Sequence, residues 1–194
     1  NAECRPDMLN AFGTMGSVYA RQVMGRADPA VMLVNNGTED HKGTPLYREA
    51  HQRLQANPSI RFAGNIEPRD LLLGQADVVV CDGFVGNVIL KLTEGVASTL
   101  LRMLKPIFLK NLLTKLAYLA IKGGLGDLKK MMDSEEVGGA PLLGAARPVI
   151  KAHGSSKAKG IKNAIRQARL CVENDLCGTM QKALDETLAA AGEG

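Results

Sequence analysis

The 194-residue chain carries 24 Lys and Arg against 20 Asp and Glu, a formal charge of +4, with 45% hydrophobic and 23% charged residues. That balance excludes a disordered tail and gives length enough for one sizeable core, or one core with an appendage. Aromatic residues at 4% with no Trp, beside 21 glycines, favour an α/β protein over a β-sandwich, and the mild basicity suits an anionic substrate, an acidic partner or an anionic lipid surface.

The N-terminal residues Asn1 to Pro6 have no initiator Met, basic stretch or apolar stretch, so the sequence is expected to start in the middle of a longer chain without a secretory signal. From Pro6 to Gly25, Met8, Leu9, Phe12, Met15, Tyr19 and Val23 recur near helical spacing. Val31 to Val34 reads as a strand, Asn35 to Thr44 as a polar loop, and Pro45 to Gln55 as a helix opened by proline. A strand at Ile60 to Ala63, a turn at Gly64-Asn65, a short helix near Arg69 to Leu73 and a strand at Ala76 to Cys81 follow. Apolar strands alternating with helices predict a mostly parallel sheet covered on both faces.

Asp82 to Asn87 then opens a helix bearing Val88, Ile89, Leu92, Val96, Leu100 and Leu104 on one side. In residues 105–132, Phe108, Leu109, Leu112, Leu113, Leu116 and Leu119 share one arc, with Lys110, Lys115 and Lys122 outside it. Gly123-Gly124-Leu125-Gly126 is expected to break this helix before a Lys-rich one near Asp127 to Met132, giving a hairpin that projects from the body. A strand at Pro148 to Ala152 and a helix from Ala158, with Ile161, Ile165, Ala168, Val172 and Leu176 in register, complete the chain before a frayed end at Ala189 to Gly194. The expected division is residues 1–104 as an α/β body with ligand loops, 105–132 as the amphipathic hairpin, and 133–194 as the return to the body. No run reaches the roughly eighteen uninterrupted apolar residues of a spanning helix.

Parallel α/β sheets bind ligands at the carboxyl ends of their strands, and three polar loops are expected at such ends. The first holds Gly37, Thr38, Lys42 and Gly43; the second Asp82, Gly83, Gly86 and Asn87; the third His153, Ser155 and Ser156. Glycine lets backbone amides approach an anion, and the helix that follows adds its positive end, so each loop can cradle phosphate or simply turn the chain. Lys42 is either a phosphate or oxyanion partner or a solvated loop lysine. Asn87 either donates to an oxygen in the site or caps the helix that begins there. His153 either exchanges protons with phosphate or is a hydrogen-bonded structural residue, and capping accounts for at least one of Ser155 and Ser156. Cys4, Cys81, Cys171 and Cys177 form no Cys-x-x-Cys pair and have no His at ligand spacing, so they read as reduced thiols with no metal.

The segments Gly64-Asn65-Ile66-Glu67-Pro68-Arg69-Asp70, Ala76 to Val88 and Ala152-His153-Gly154-Ser155-Ser156 resemble the PlsX-type phosphate acyltransferase family, over nearly the whole chain up to about Val172. The resemblance implies a three-layer α/β/α fold of the isocitrate/isopropylmalate-dehydrogenase type and a homodimer. It implies formation of acyl phosphate from acyl-acyl-carrier-protein and inorganic phosphate for phospholipid synthesis, without a cofactor. It assigns catalysis to Lys42 and Asn87, and membrane contact to the hairpin, where Leu112, Leu113, Leu116 and Leu119 stand. A cytoplasmic, peripherally membrane-associated enzyme is the expectation.

The family's N-terminal portion, with its Asp-Ala-Met-Gly-Gly-Asp segment, has no counterpart here; Thr44-Pro45 stands where Asn-Glu is common, and Glu136-Val137 where an aromatic is frequent. The rival readings are a phosphotransacetylase using coenzyme A and a catalytically incomplete fragment that only dimerises or docks acyl-carrier protein or membrane. The basic residues interleave with apolar helix, not with aromatics, which does not favour nucleic acid.

Overall fold

The computed structural model describes residues 1–131, 136 and 138–192. Helix α1 (Pro6–Gln22) opens with proline, whose fixed φ and missing N–H suit a first turn, and carries Asp7 at its start and Arg21 at its end, matching the helix dipole. Strand β1 (Ala30–Val34) is buried along its whole length and leads to α2 (Pro45–Ala56). Next come β2 (Arg61–Ile66), a 3-10 helix (Pro68–Leu73) and β3 (Val78–Val80).

These strands form a parallel sheet in the order β2-β1-β3. The side chains of β1 alternate between its two faces. Val31 and Leu33 pack with Leu9, Ala50 and Leu54 of α1 and α2, while Met32 and Val34 pack with Ile66, Leu71, Val85 and Ile89. Helical elements therefore cover both faces of the central strand, which explains its unbroken apolar sequence. Each fully buried Leu or Ile here contributes about 1.5–3 kcal/mol of transfer free energy.

β2 extends past the expected turn at Gly64-Asn65. Gly64 adopts φ 91, and the register with β1 slips there by one residue, pairing Leu33 with Asn65 and Val34 with Ile66. Glycine thus absorbs a bulge inside the strand, and Asn65 continues the ladder.

Helices α3 (Gly83–Phe108) and α4 (Leu112–Met131) form an antiparallel pair joined at Leu109 to Asn111. Asn111 caps α4 by accepting the Thr114 amide at 2.9 Å, and the Thr114 hydroxyl accepts the Asn111 amide at 3.1 Å. The expected break at Gly123 to Gly126 does not occur. Glycine costs about 1 kcal/mol against alanine in a helix but forbids nothing, so α4 runs through. Met132, the last residue of the expected Lys-rich helix, lies outside the described residues, as does Val137.

α3 is long and apolar enough, by length and composition, to cross a membrane. It touches the core through Val85 and Ile89, and most of its larger apolar side chains beyond them are exposed. Phe108 and Tyr118 join the pair with ring centroids 5.5 Å apart, beside an open cavity of about 710 Å³ lined by Leu101, Leu104 and Leu125.

The short strands β4 (Ala140–Pro141) and β5 (Ile150–Lys151) make a separate antiparallel ribbon, so among the described residues the return of the chain adds no strand to the parallel sheet. Helix α5 (Ala158–Glu173) buries Gly160, Ala164, Gln167 and Cys171, whereas Ile161, Ile165 and Val172 of the predicted register are exposed. Small residues let α5 approach its neighbours, and Gln167 Nε2 donates to the Tyr19 hydroxyl. Leu176 belongs to the next helix, α6 (Leu176–Gly192), whose Leu176 and Met180 pack with Val18 of α1 and Cys171 of α5 in a further apolar cluster. α6 is helical to Gly192 where fraying was expected, and residues 193–194 lie outside the description. The architecture is α/β, mostly helical, around a small parallel sheet.

Candidate functional site

A cleft of about 550 Å³ lies at the carboxyl ends of the parallel strands. Val34, Asn35 and Asn36 enter it from the end of β1, Pro68 from the residues after β2, and Val85 from the first turn of α3, with Gly43, Thr44 and Tyr47 closing the remaining side. The chain crosses from one flank of β1 to the other between β2 and β3, so this is a switch point in the sheet, where such crevices form.

The loop from Asn36 to Thr44 is held from within. Lys42 is half-buried, and its alkyl stem lies over Gly37: a Cβ on residue 37 would come within 2.9 Å of Lys42 Cγ. Its ammonium stands 3.7 Å from the Glu39 carboxylate, and its amide donates to the Glu39 carbonyl at 3.1 Å. Gly43 takes φ 88, where a side chain is strained, and a Cβ there would meet Asn35 Oδ1 at 2.6 Å. Glycine at 37 and 43 is thus explained by the path of the loop. Thr38 is exposed at its tip.

In the second loop Asp82 is buried and is itself the helix cap. Its Oδ1 accepts the Val85 amide at 2.8 Å and its Oδ2 accepts the Tyr47 hydroxyl at 2.6 Å. Burial pushes the carboxyl up, but the Tyr47 hydroxyl and the Val85 and Phe84 amides outweigh it, so the net shift is downward. Tyr47 is held protonated well above its ordinary range, by burial first and by its bond to Asp82. Cys81 is pushed up to about 11 by burial and by Asp82, so at neutral pH it is a thiol and a poor nucleophile.

The expected open, Gly-rich turn is therefore helical from Gly83. The Gly83 amide donates to the Asn1 carbonyl at 2.6 Å, and the Gly86 amide to the Asp82 carbonyl at 2.9 Å. Asn87 is exposed one turn inside α3, so it does not cap the helix.

The third loop follows β5 of the antiparallel ribbon and not the parallel sheet, which corrects the expectation of three loops at one sheet edge. His153 and Ser155 are exposed; the ring Nδ1 and the Ser155 hydroxyl are 2.7 Å apart, and the Ser156 amide donates to the His153 carbonyl at 3.0 Å. The residue at the cap position of α5 is Lys157, so neither serine caps it. Leu112, Leu113, Leu116 and Leu119 are 75%, 76%, 56% and 64% exposed on α4, separate from the cleft. Among the described residues no cluster of three or more His, Cys, Asp or Glu is arranged to hold a metal.

Four residues went unselected by sequence reasoning: Asn35 and Tyr47, which line the cleft, and His51 and Asn65, which lie behind its loop. The Asn35 amide donates to the Lys42 carbonyl at 3.1 Å, and the Asn65 amide donates to the Glu39 carbonyl at 2.8 Å. Asparagine ending a buried apolar run was the available signal, since a buried carboxamide must find partners.

The profile of a family described as "Fatty acid synthesis protein" matches residues 1–179. Among curated proteins, a phosphate acyltransferase of Alkaliphilus oremlandii is 53% identical over 174 residues, 90% of this chain and 52% of that protein. One from Thermoanaerobacterium thermosaccharolyticum is 48% identical over 95% of this chain and 55% of its own length, and one from Geobacillus thermodenitrificans 50% identical over 96% and 57%. The chain spans about half the length of the curated relatives it matches.

Proposed function

The chain belongs to the fatty acid synthesis protein family, and from that premise we propose that it is the catalytic portion of a phosphate acyltransferase that forms acyl phosphate from an acylated carrier protein and inorganic phosphate. The observation that carries the reading is the cleft at the strand ends with the Lys42 loop built against it. In this scheme a phosphate oxygen attacks the thioester carbonyl, a C–O bond forms, the C–S bond breaks, and the carrier thiolate leaves and takes up a proton. The lysine ammonium and the Asn87 amide stabilise phosphate and the developing oxyanion, each well-placed donor supplying about 3 kcal/mol of barrier reduction. Gly37, Thr38 and Gly43 shape the phosphate loop, while Asp82, Gly83 and Gly86 fix the start of α3 beside it. His153, Ser155 and Ser156 form a second polar group that reaches anionic substrate from the ribbon side.

No acyl-enzyme is invoked: burial and Asp82 keep the Cys81 thiol protonated, and the Ser155 hydroxyl beside His153 is not among the residues that line the cleft. The test is acyl phosphate formation from palmitoyl-acyl-carrier-protein and phosphate, by this chain and by a version extended to the length of its relatives. Lys42→Ala is run in both. Acylation of the protein in the absence of phosphate is the outcome that sinks direct attack, and equal rates with acyl-coenzyme A would favour the phosphotransacetylase reading.

The same reading places the chain in a homodimer of isocitrate/isopropylmalate-dehydrogenase-like subunits, cytoplasmic and peripherally attached to anionic membrane. The exposed leucines of α4 and the apolar length of α3 support an interfacial hairpin. Liposome flotation is expected to fall at least tenfold in a Leu112→Glu, Leu116→Glu variant; unchanged flotation removes the membrane contact. The span of about half the relatives favours a second reading, a fragment that docks and dimerises without turnover. Activity only in the extended version is its signature.

A further inference from the structure

Lys42 sits on a loop, and a catalytic lysine on a loop needs something to fix it. Two buried carboxamides reach that loop from adjacent strands. Asn35, 7% exposed at the end of β1, donates to the Lys42 carbonyl at 3.1 Å while its Oδ1 accepts the Asn36 amide at 2.9 Å. Asn65, 3% exposed at the end of β2, donates to the Glu39 carbonyl at 2.8 Å. The two carbonyls they hold are the two ends of the turn that the Lys42 amide closes onto Glu39.

The orientation of Asn65 is decided by its neighbours. The Glu39 carbonyl only accepts, so the amide nitrogen faces it and Oδ1 faces the His51 ring Nδ1 at 3.0 Å. His51 Nδ1 is then the donor. The ring is 5% exposed and meets Phe62 edge-on, with centroids 5.0 Å apart. Its Nε2 faces the exposed Asp40 carboxylate at 3.4 Å. The Gly64 bulge matters as well, because the one-residue slip it introduces sets which face of β2 presents Asn65.

We propose that Asn35 and Asn65 are positioning residues, a two-point clamp that holds the Lys42 turn in its working geometry, with His51 locking the Asn65 amide. This rests on the role assigned to Lys42 above. The clamp explains an asparagine just after β1 and one near the end of β2: a carboxamide donates to a loop carbonyl without adding a charge that would compete for phosphate or for the lysine.

The test has two arms. In the first, hydrogen exchange is followed in wild type, Asn65→Ala, Asn35→Ala and His51→Phe. Exchange in residues 36–43 is expected to accelerate at least tenfold in each variant, while exchange in α6 is unchanged. In the second, Asn65→Ala is combined with Lys42→Ala in the chain extended to the length of its relatives. A residue acting through Lys42 lowers kcat/KM for phosphate tenfold or more alone and adds nothing in the Lys42→Ala background. Asn65→Gln, which keeps the amide donor, is expected to recover part of the loss. Additive losses, or unaltered exchange in 36–43, overturn the clamp. If wild type forms no acyl phosphate, the enzymatic reading fails, and the exchange arm still decides for or against the clamp.

Discussion

The Lys42 loop and the His153 turn look alike in sequence, each a polar, Gly-containing stretch after an apolar run, yet the fold treats them differently. The Lys42 loop is tied to β1 and β2 by buried asparagines and fits so closely that a Cβ at 37 or 43 would collide. Among the described residues the hydrogen bonds of the His153 turn run between its own residues, and a Cβ on Gly154 would meet nothing within 4 Å. A loop gains fixed geometry from long-range partners with buried polar groups, not from its own polarity.

That contrast breaks most sharply under substitution of the candidate catalytic side chains. Lys42→Ala is expected to lower acyl phosphate formation by about 100-fold, the effect of removing one oxyanion or phosphate donor, as measured by steady-state kinetics. His153→Ala, at an exposed position, is expected to cost much less; a larger loss at His153 would reverse the ranking of the two loops.

Stability separates them next. Gly43→Ala forces a side chain into φ 88 and against Asn35, and is expected to cost about 1–3 kcal/mol in urea denaturation. Gly154→Ala, in open space, is expected to stay within about 0.5 kcal/mol of wild type.

The smallest effect sharpens the electrostatics beside the cleft. Tyr47→Phe removes the hydroxyl that Asp82 accepts, a charge-assisted bond worth about 1.5 kcal/mol at neutral pH. The Asp82 carboxyl is shifted below its ordinary value, so the stability it confers is present above the unfolded carboxylate pKa and is lost as pH falls through the folded one. Wild type and Tyr47→Phe should therefore differ at pH 7, with the gap starting to narrow only as pH falls below the ordinary aspartate range of about 4. A gap that stays constant as pH falls from 7 through the aspartate range would show that the loss is packing, not the ionised pair.

The α/β class and the order of strands, loops and helices from Pro6 to Gly83 were legible because apolar runs and prolines mark them locally. The Lys42 loop was legible through Gly37 and Gly43. Its clamp was not, because Asn65 is 26 residues from Glu39 and its aim depends on a bulge that looks like a turn in sequence. On α5 the periodic Ile161, Ile165 and Val172 pointed to the wrong buried face, since the packed face uses Gly160, Ala164 and Gln167 for close approach. On α4 the three glycines looked like a break, but propensity alone does not end a helix without a cap or a proline. The ribbon that carries His153 apart from the sheet depends on long-range pairing that no local pattern encodes.

The most direct test of the central claim is a titration of the isotopically labelled protein with inorganic phosphate, followed by backbone amide shifts. The account predicts saturable shifts in residues 36–43 and at the start of α3 that vanish in Lys42→Ala. Saturable shifts at the His153 turn that persist in Lys42→Ala, with residues 36–43 silent, would contradict it.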